Sequence, residues 1–255
     1  MKKILFAAIF ASTQAFAIVG VGVHYVTNTG TLKGETEKNV ATAPLGLGHI
    51  DLKRHDASVL QGLGFKLWVD VLPFIDVEGT FNMAATKYKT SLEIVPPIGD
   101  KTEIPLEYKP GTPYNMVFGE AVNPLYGLFS GDLSITYPFD ILPIIRPYAG
   151  VGVSYMASIP IINKAFVKDM EPALEAALEN KDDPKNASII GKELSEALKK
   201  SDFNTGFGGH LIAGVRAKVP LIPIAAYVNT KYYFGDPDKK FKQGATFELG
   251  GGFAL

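Results

Sequence analysis

The stretch FSGDLSITYPF (residues 129–139) alternates almost without error between apolar and polar side chains. The apolar residues are Phe129, Leu133, Ile135, Tyr137 and Phe139, and the polar residues are Ser130, Asp132, Ser134 and Thr136. Such alternation predicts a β-strand with two unlike faces. The fold depends on which face meets water: the apolar face forms the core of a soluble domain, but it contacts lipid in a membrane barrel.

Seven other segments alternate in the same way. The eight predicted strands cover about 19–25, 58–71, 76–85, 129–139, 149–155, 207–218, 227–234 and 246–255. Each is near the length that a tilted strand needs to cross a bilayer, and their number is even, as in bacterial outer-membrane barrels.

The connections between these segments alternate between short and long. The short ones are LPFI (72–75), ILPII (141–145) and LIPI (221–224), built on Pro73, Pro143 and Pro223. Proline has no N–H to donate to a ladder and is typical of strand ends. The long ones cover about 27–57, 88–125 and 159–204, with a shorter one near 235–244. Short periplasmic turns and long external loops are the outer-membrane pattern.

The long loop 159–204 has a different periodicity. Apolar residues are spaced as in a helix from Phe166 to Leu178 and again from Ile190 to Leu198, on either side of ENKDDPKNAS. We therefore predict a helical hairpin over 164–200. It either packs on itself or caps the barrel mouth.

The first residues predict export. Lys2 and Lys3 precede an apolar stretch and an Ala15-Phe16-Ala17 cleavage pattern, which is the layout of a signal peptide. We expect residues 1–17 to be removed and the barrel to consist of 18–255. The 255-residue chain has a net charge of −1, which gives no electrostatic case for nucleic acid, and it has no cysteine.

The charged residues decide the orientation of the strands. They share one parity with many glycines, while the apolar parity is almost free of charge. A narrow lumen filled by side chains requires small residues and balanced charges. We predict a lumen ion network of Lys66, Asp70, Asp76, Glu78, Asp132, Arg216, Lys218, Lys231 and Glu248. In the opposite orientation, an exported soluble lipocalin-like carrier, these residues would form a solvated exterior.

Two stretches resemble a known family. RPYAGVGVSY (146–155) is similar to a strand common in small outer-membrane barrel domains, and Phe247, Leu249, Gly251 and Phe253 resemble a C-terminal assembly signal, although the last residue is Leu255 rather than an aromatic. The chain thus resembles the eight-stranded OmpA/OmpX/OmpW-like proteins. The resemblance implies the outer membrane of a Gram-negative (diderm) bacterium, contact with its lipid and lipopolysaccharide, and insertion by the barrel assembly machinery.

Few residues suggest chemistry. His24 and His210 are predicted to face the lumen near Ser130, Asp132 and Ser154, which are residue types of a hydrolase or acyltransferase, but no spacing motif supports this. The stretch HIDLKRHD (49–56) offers His49, Asp51, His55 and Asp56 to a metal, or is a mixed-charge loop.

Trp68 is predicted to face inward, where its N–H needs a partner. We predict no catalytic, cofactor or metal site. The expected role is structural or surface interaction, with a possible extracellular ligand at the long loops. A narrow channel or transporter for small or apolar solutes is the alternative.

Overall fold

The computed structural model describes residues 18–43, 48–72, 74–106, 123–139, 144–159, 162, 167, 203–218, 222–235 and 239–254. The signal peptide (1–17) and nearly all of the helical hairpin (164–200) lie outside these residues, so both stay predictions. No helix within the described residues is long and apolar enough to cross a membrane.

Eight strands form a closed antiparallel barrel. They are β1 (Ile18–Leu32), β4 (Ala57–Leu72), β5 (Ile75–Lys87), β8 (Leu125–Pro138), β9 (Ile145–Ser158), β10 (Asn204–Lys218), β11 (Ile224–Phe234) and β13 (Ala245–Ala254). A two-residue strand, β12 (Phe241–Lys242), extends the ladder beside the end of β1. Each predicted segment overlaps one of these eight strands, and several of the strands are longer than predicted.

The barrel closes through its first strand. Gly22 of β1 pairs with Gly252 of β13 on one side and with Lys66 of β4 on the other. The remaining neighbours follow in the order β4-β5-β8-β9-β10-β11-β13. We call the end of the barrel at which β4 is followed by β5, β8 by β9 and β10 by β11 the turn end, and we call the opposite end the loop end.

Apolar side chains point outward and polar ones inward. On β8, Leu133 and Ile135 are 55% and 57% exposed, whereas Ser134 and Thr136 are 0% and 1% exposed. The other barrel strands alternate in the same sense, with Phe65 exposed and Lys66 buried on β4. The soluble carrier, which needs an apolar interior and a charged exterior, is therefore wrong.

A second sheet was not predicted from the sequence. The predicted loops 27–57 and 88–125 contain the last residues of β1 and four further strands. These are β2 (Glu35–Thr42), β3 (His49–Arg54), β6 (Thr90–Val95) and β7 (Thr102–Pro105). These four strands pair antiparallel in the order β2-β3-β6-β7, and we call them the loop sheet. The prediction of loops over these ranges is therefore partly wrong. Short strands are stabilised by pairing with their neighbours rather than by their own local sequence pattern, so that pattern did not reveal them.

The loop sheet has its own hydrophobic core. Ile50 and Leu52 of β3 pack with Leu92 and Ile94 of β6, and Ile162 joins this cluster from the following long loop. The buried side chain of Arg54 donates to the carbonyl oxygen of Ile162 at 2.7 Å, which ties the sheet to that loop.

Candidate functional site

At the turn end of the lumen, two arginines face three carboxylates. Arg216 Nη1 lies 2.9 Å from Asp70 and 3.5 Å from Asp76, and its Nη2 donates to Glu78. Arg146 reaches the same two aspartates, at 3.2 and 3.8 Å. Since β10 and β4 lie on opposite sides of the barrel, the Arg216–Asp70 pair crosses the lumen.

The next layer is centred on Lys66. Its Nζ lies 2.6 Å from Glu78 Oε2 and donates to the Tyr148 hydroxyl at 2.9 Å. It also lies 4.8 Å from the centroid of the Tyr227 ring. A buried ammonium with this many partners is compensated by charge, hydrogen bond and ring face together.

Lys231 is the centre of a third layer. Its Nζ lies 2.7 Å from Asp132 Oδ2 and 2.9 Å from Glu248 Oε1. The carboxylates have further donors: Tyr233 donates to Asp132 at 2.8 Å, and Asn82 donates to Glu248 at 2.8 Å.

The structure brings together eight of the nine residues predicted for the network. Lys218 is the exception: it lies at the turn end of β10 and makes no ion pair with any described residue. Sequence reasoning left out Arg146 and the tyrosines 148, 227 and 233. Arg146 shares the inward parity of Tyr148, and this parity was the available signal.

The two lumen histidines are enclosed by neutral groups. His24 has Nδ1 3.0 Å from the Tyr227 hydroxyl and Nε2 2.6 Å from Asn82 Oδ1. His210 lies between Ser134, at 2.8 Å from Nε2, and Ser154, at 2.7 Å from Nδ1.

The parts considered for an enzyme are not assembled as a catalytic site. Asp132 bonds to Lys231 and Tyr233 rather than to His210, and Ser130 contacts Asp132 at 3.5 Å. A nucleophile needs its base, and the base needs an orienting acid, in one hydrogen-bonded row. His210 is also only 2% exposed, so no substrate reaches it without a rearrangement of the barrel.

Trp68 is fully buried and faces the lumen as expected. The Arg216 guanidinium carbon lies 4.9 Å from the centroid of its ring, which is cation–π geometry. Its indole N–H has no hydrogen-bond partner among the described residues. Gly20 makes room for the ring, because a Cβ there would overlap it.

An apolar cluster lies at the loop end of the lumen. Inward-facing side chains of the barrel strands meet there with Phe241 of β12, and we call this cluster the apolar plug. Its members are Val26, Leu32, Ala57, Leu60, Ala84, Tyr88, Tyr126, Leu128 and Phe241. The rings of Tyr126 and Phe241 lie 5.2 Å apart, centroid to centroid, and come from opposite parts of the wall. The plug therefore spans the bore.

The outer face of the loop sheet is charged. Lys53 and Lys101 donate to Glu93 at 3.0 and 3.2 Å, and these bonds, that of Lys53 first, lower the pKa of Glu93.

The four residues considered for a metal do not come together as one group. His49 lies 3.4 Å from Asp51, which also accepts the Asn39 N–H, and no group of three or more metal-binding side chains forms among the described residues.

The side chains on the outside of the barrel show whether water or lipid surrounds it. Val, Leu, Ile and Phe side chains cover it, and aromatic pairs mark both ends: Tyr155–Phe207 and Tyr232–Phe234 toward the loop end, Tyr137–Phe139 toward the turn end. Soluble proteins rarely expose a continuous apolar band of this kind to water, whereas a barrel in a bilayer requires one. The barrel is therefore a transmembrane barrel, of the kind that spans bacterial outer membranes.

No family model matches the chain, and no curated protein matches it. Solved structures with a similar arrangement include the outer membrane protein OprG from Pseudomonas aeruginosa (10% identity, TM-score 0.48, 95% of this chain and 97% of that chain). Another is Ail of Yersinia pestis in complex with the heparin analogue sucrose octasulfate (10%, 0.44, 94% and 99%). A third is Neisserial surface protein A (13%, 0.34, 94% and 95%). At these identities and TM-scores the likeness gives no information on function.

Proposed function

We propose that the chain is a non-enzymatic outer-membrane anchor that holds the loop sheet at the cell surface for interaction with an extracellular ligand. The observation that carries this proposal is the closure of the lumen by contacts across its bore. Arg216 meets Asp70 near the turn end, Lys231 meets Asp132 in the middle, and Tyr126 meets Phe241 near the loop end.

A narrow channel is the weaker candidate. Eight strands enclose a bore that side chains fill. A cavity beside the plug, lined by residues that include Asn28, Ser130 and Thr246, measures about 20 Å³. That volume holds a single water molecule. A solute larger than water can therefore pass through the lumen only if several layers of buried contacts break.

The loop sheet is suited to presentation. Its own core holds it in shape, and Arg54 pairs with Glu35 at 3.2 Å and Glu37 at 3.6 Å, so the sheet is fixed before any ligand arrives. A preorganised surface loses less entropy on binding. The face with Lys53, Glu93 and Lys101 carries both charge signs, which favours a polar ligand of mixed charge over an apolar one.

The orientation and route to the membrane belong to the same proposal. The turn end faces the periplasm and the loop sheet faces outward. Residues 1–17 direct export and are removed, and the barrel assembly machinery inserts the rest among outer-membrane lipid and lipopolysaccharide.

Complementation of a deletion strain tests the proposal. The full chain should restore the wild-type phenotype, whereas a barrel with short turns in place of 34–55 and 89–123 should reach the membrane and fail. Restoration by the barrel without the loop sheet contradicts the proposed role. In parallel, the full chain should be silent in planar bilayers, and stable conductance steps would favour the channel.

A further inference from the structure

Two adjacent strands carry buried polar atoms that have no hydrogen-bond partner among the described residues. Asp76 Oδ1, Thr136 Oγ1, Thr80 Oγ1 and Asp132 Oδ1 have no hydrogen bond within the described residues. Asp76 pairs directly with Thr136, and Thr80 pairs directly with Asp132, so the four atoms form two rungs on the inner faces of β5 and β8. Buried polar groups without protein partners are usually bonded to ordered water.

This column begins at the periplasmic mouth. Asp76 follows the first turn, and Arg146 beside it is 26% exposed, so water has access there. Thr80 lies four residues further along β5, about 13 Å at about 3.3 Å per residue. Water along the column would therefore reach from the mouth to Lys231, which binds Asp132.

The apolar plug ends this path. Val26, Leu60, Ala84 and Leu128 give water no partner, and an apolar constriction blocks a pore by excluding water. The single-water cavity lies at the boundary, because Asn28, Ser130 and Thr246 line it together with Val26 and Leu128. The plug itself holds two tyrosine hydroxyls, of which that of Tyr88 accepts the Ile162 N–H, and its other members are hydrocarbon.

We propose that water enters the lumen from the periplasm along β5 and β8 and stops at the apolar plug, so that the plug, and not the ion network, makes the barrel impermeable to water and protons. The ion network fills space, but its charged and hydroxyl groups sustain a hydrogen-bonded chain. The plug breaks that chain. This goes beyond the anchor role, which requires a closed lumen but does not say which layer closes it.

Proton entry into liposomes tests the proposal. Purified chain is reconstituted with a pH-sensitive dye inside, and the external pH is lowered in one step. The wild-type chain should equilibrate as slowly as empty liposomes. A Leu60→Ser, Leu128→Ser variant should equilibrate about tenfold faster or more, since each hydroxyl gives a water in the plug a hydrogen-bond partner.

Two further variants make the result specific. Leu92→Ser makes the same change at a buried leucine of the loop sheet, and it should stay tight. Thr80→Val in the opened barrel removes one hydroxyl from the column without a change of shape, and it should slow the leak again.

The outcomes separate the two proposals. An opened barrel that is folded, by its gel shift on heating, and yet as tight as wild type overturns the role of the plug and leaves the anchor role intact. A leaky wild-type chain overturns the closed anchor itself. Where the double variant fails to fold, Val26→Thr keeps the side-chain shape at the plug, and its leak or tightness decides in the same way.

Discussion

The ion network predicts a large effect at Lys231. This lysine is fully buried between Asp132 and Glu248, which are also fully buried. Lys231→Met keeps the length of the side chain and leaves two carboxylates in the lumen without their cation. Loss of one partner from a buried ion pair costs about 3–5 kcal/mol. We expect a loss of this size, which is a large part of the stability of a domain that is stable by about 5–15 kcal/mol.

The cause is the unpaired charge rather than the missing lysine. The triple variant Lys231→Met, Asp132→Asn, Glu248→Gln has no charge at this layer, and its amides still match Tyr233 and Asn82. Neutral replacement of a whole buried ion group is often close to neutral in stability. The triple variant should therefore recover at least half of the loss.

The assay uses the lone tryptophan. Trp68 is fully buried in the lumen, so its fluorescence reports unfolding in urea from phospholipid bilayers. Lys242→Met makes the same change at an exposed lysine and should shift stability by less than about 0.5 kcal/mol. A loss below about 1 kcal/mol for Lys231→Met, or a triple variant as unstable as the single one, refutes this reasoning.

Three other changes have defined outcomes. Val59 has a φ of 62°, which strains a β-branched residue, so Val59→Asn should raise the free energy of unfolding by about 1 kcal/mol, seen as a higher urea midpoint; a lower midpoint contradicts the strain. Gly20→Ala forces the Trp68 ring to move and should cost about 1–3 kcal/mol with an altered emission spectrum; an unchanged spectrum counts against the contact. Glu93 should titrate below its ordinary 4.5 in an NMR titration, and Lys53→Ala should raise that pKa again. Since the folded-state pKa is the lower one, Glu93 stabilises the loop sheet above the ordinary value, and this stabilisation is lost as the pH falls through the folded-state pKa. Unfolding of the sheet that is independent of pH would contradict that sign.

The sequence predicted the barrel because its strands carry two unlike faces over many residues. It did not predict the loop sheet, although HIDLKR (49–54) alternates Ile50 and Leu52 with Asp51 and Lys53. In so short a stretch, His49 and Asp51 favour interpretation as a mixed-charge loop. The left-handed Asn39 and a register shift also interrupt β2, and they hide its period.

The sequence predicted which charged residues face the lumen but not which of them contact one another. Parity places a side chain inside the barrel, whereas the stagger between strands decides which side chains meet across it. The plug was not predicted for a related reason. LYGLF (125–129) is apolar at both parities, so the alternation that predicts this strand begins only at Phe129. An apolar residue at an inward position interrupts the alternation, and at the loop end several such interruptions together form the plug.

The arrangement at the turn end shows how the lumen contributes to specifying the barrel. Asp70 pairs in register with Asp76 on adjacent strands, and Arg216 pairs in register with Arg146 on two others. Each pair is repulsive by itself, because like charges directly opposite each other destabilise a ladder. The two pairs lie on opposite walls, and each arginine contacts both aspartates. A strand slipped by one residue would turn its charge toward lipid and leave three others unbalanced. The repulsion within each wall is therefore offset by the arginine–aspartate attraction between the walls only in the closed barrel with this register. The ion network thus selects that closure as well as filling the bore.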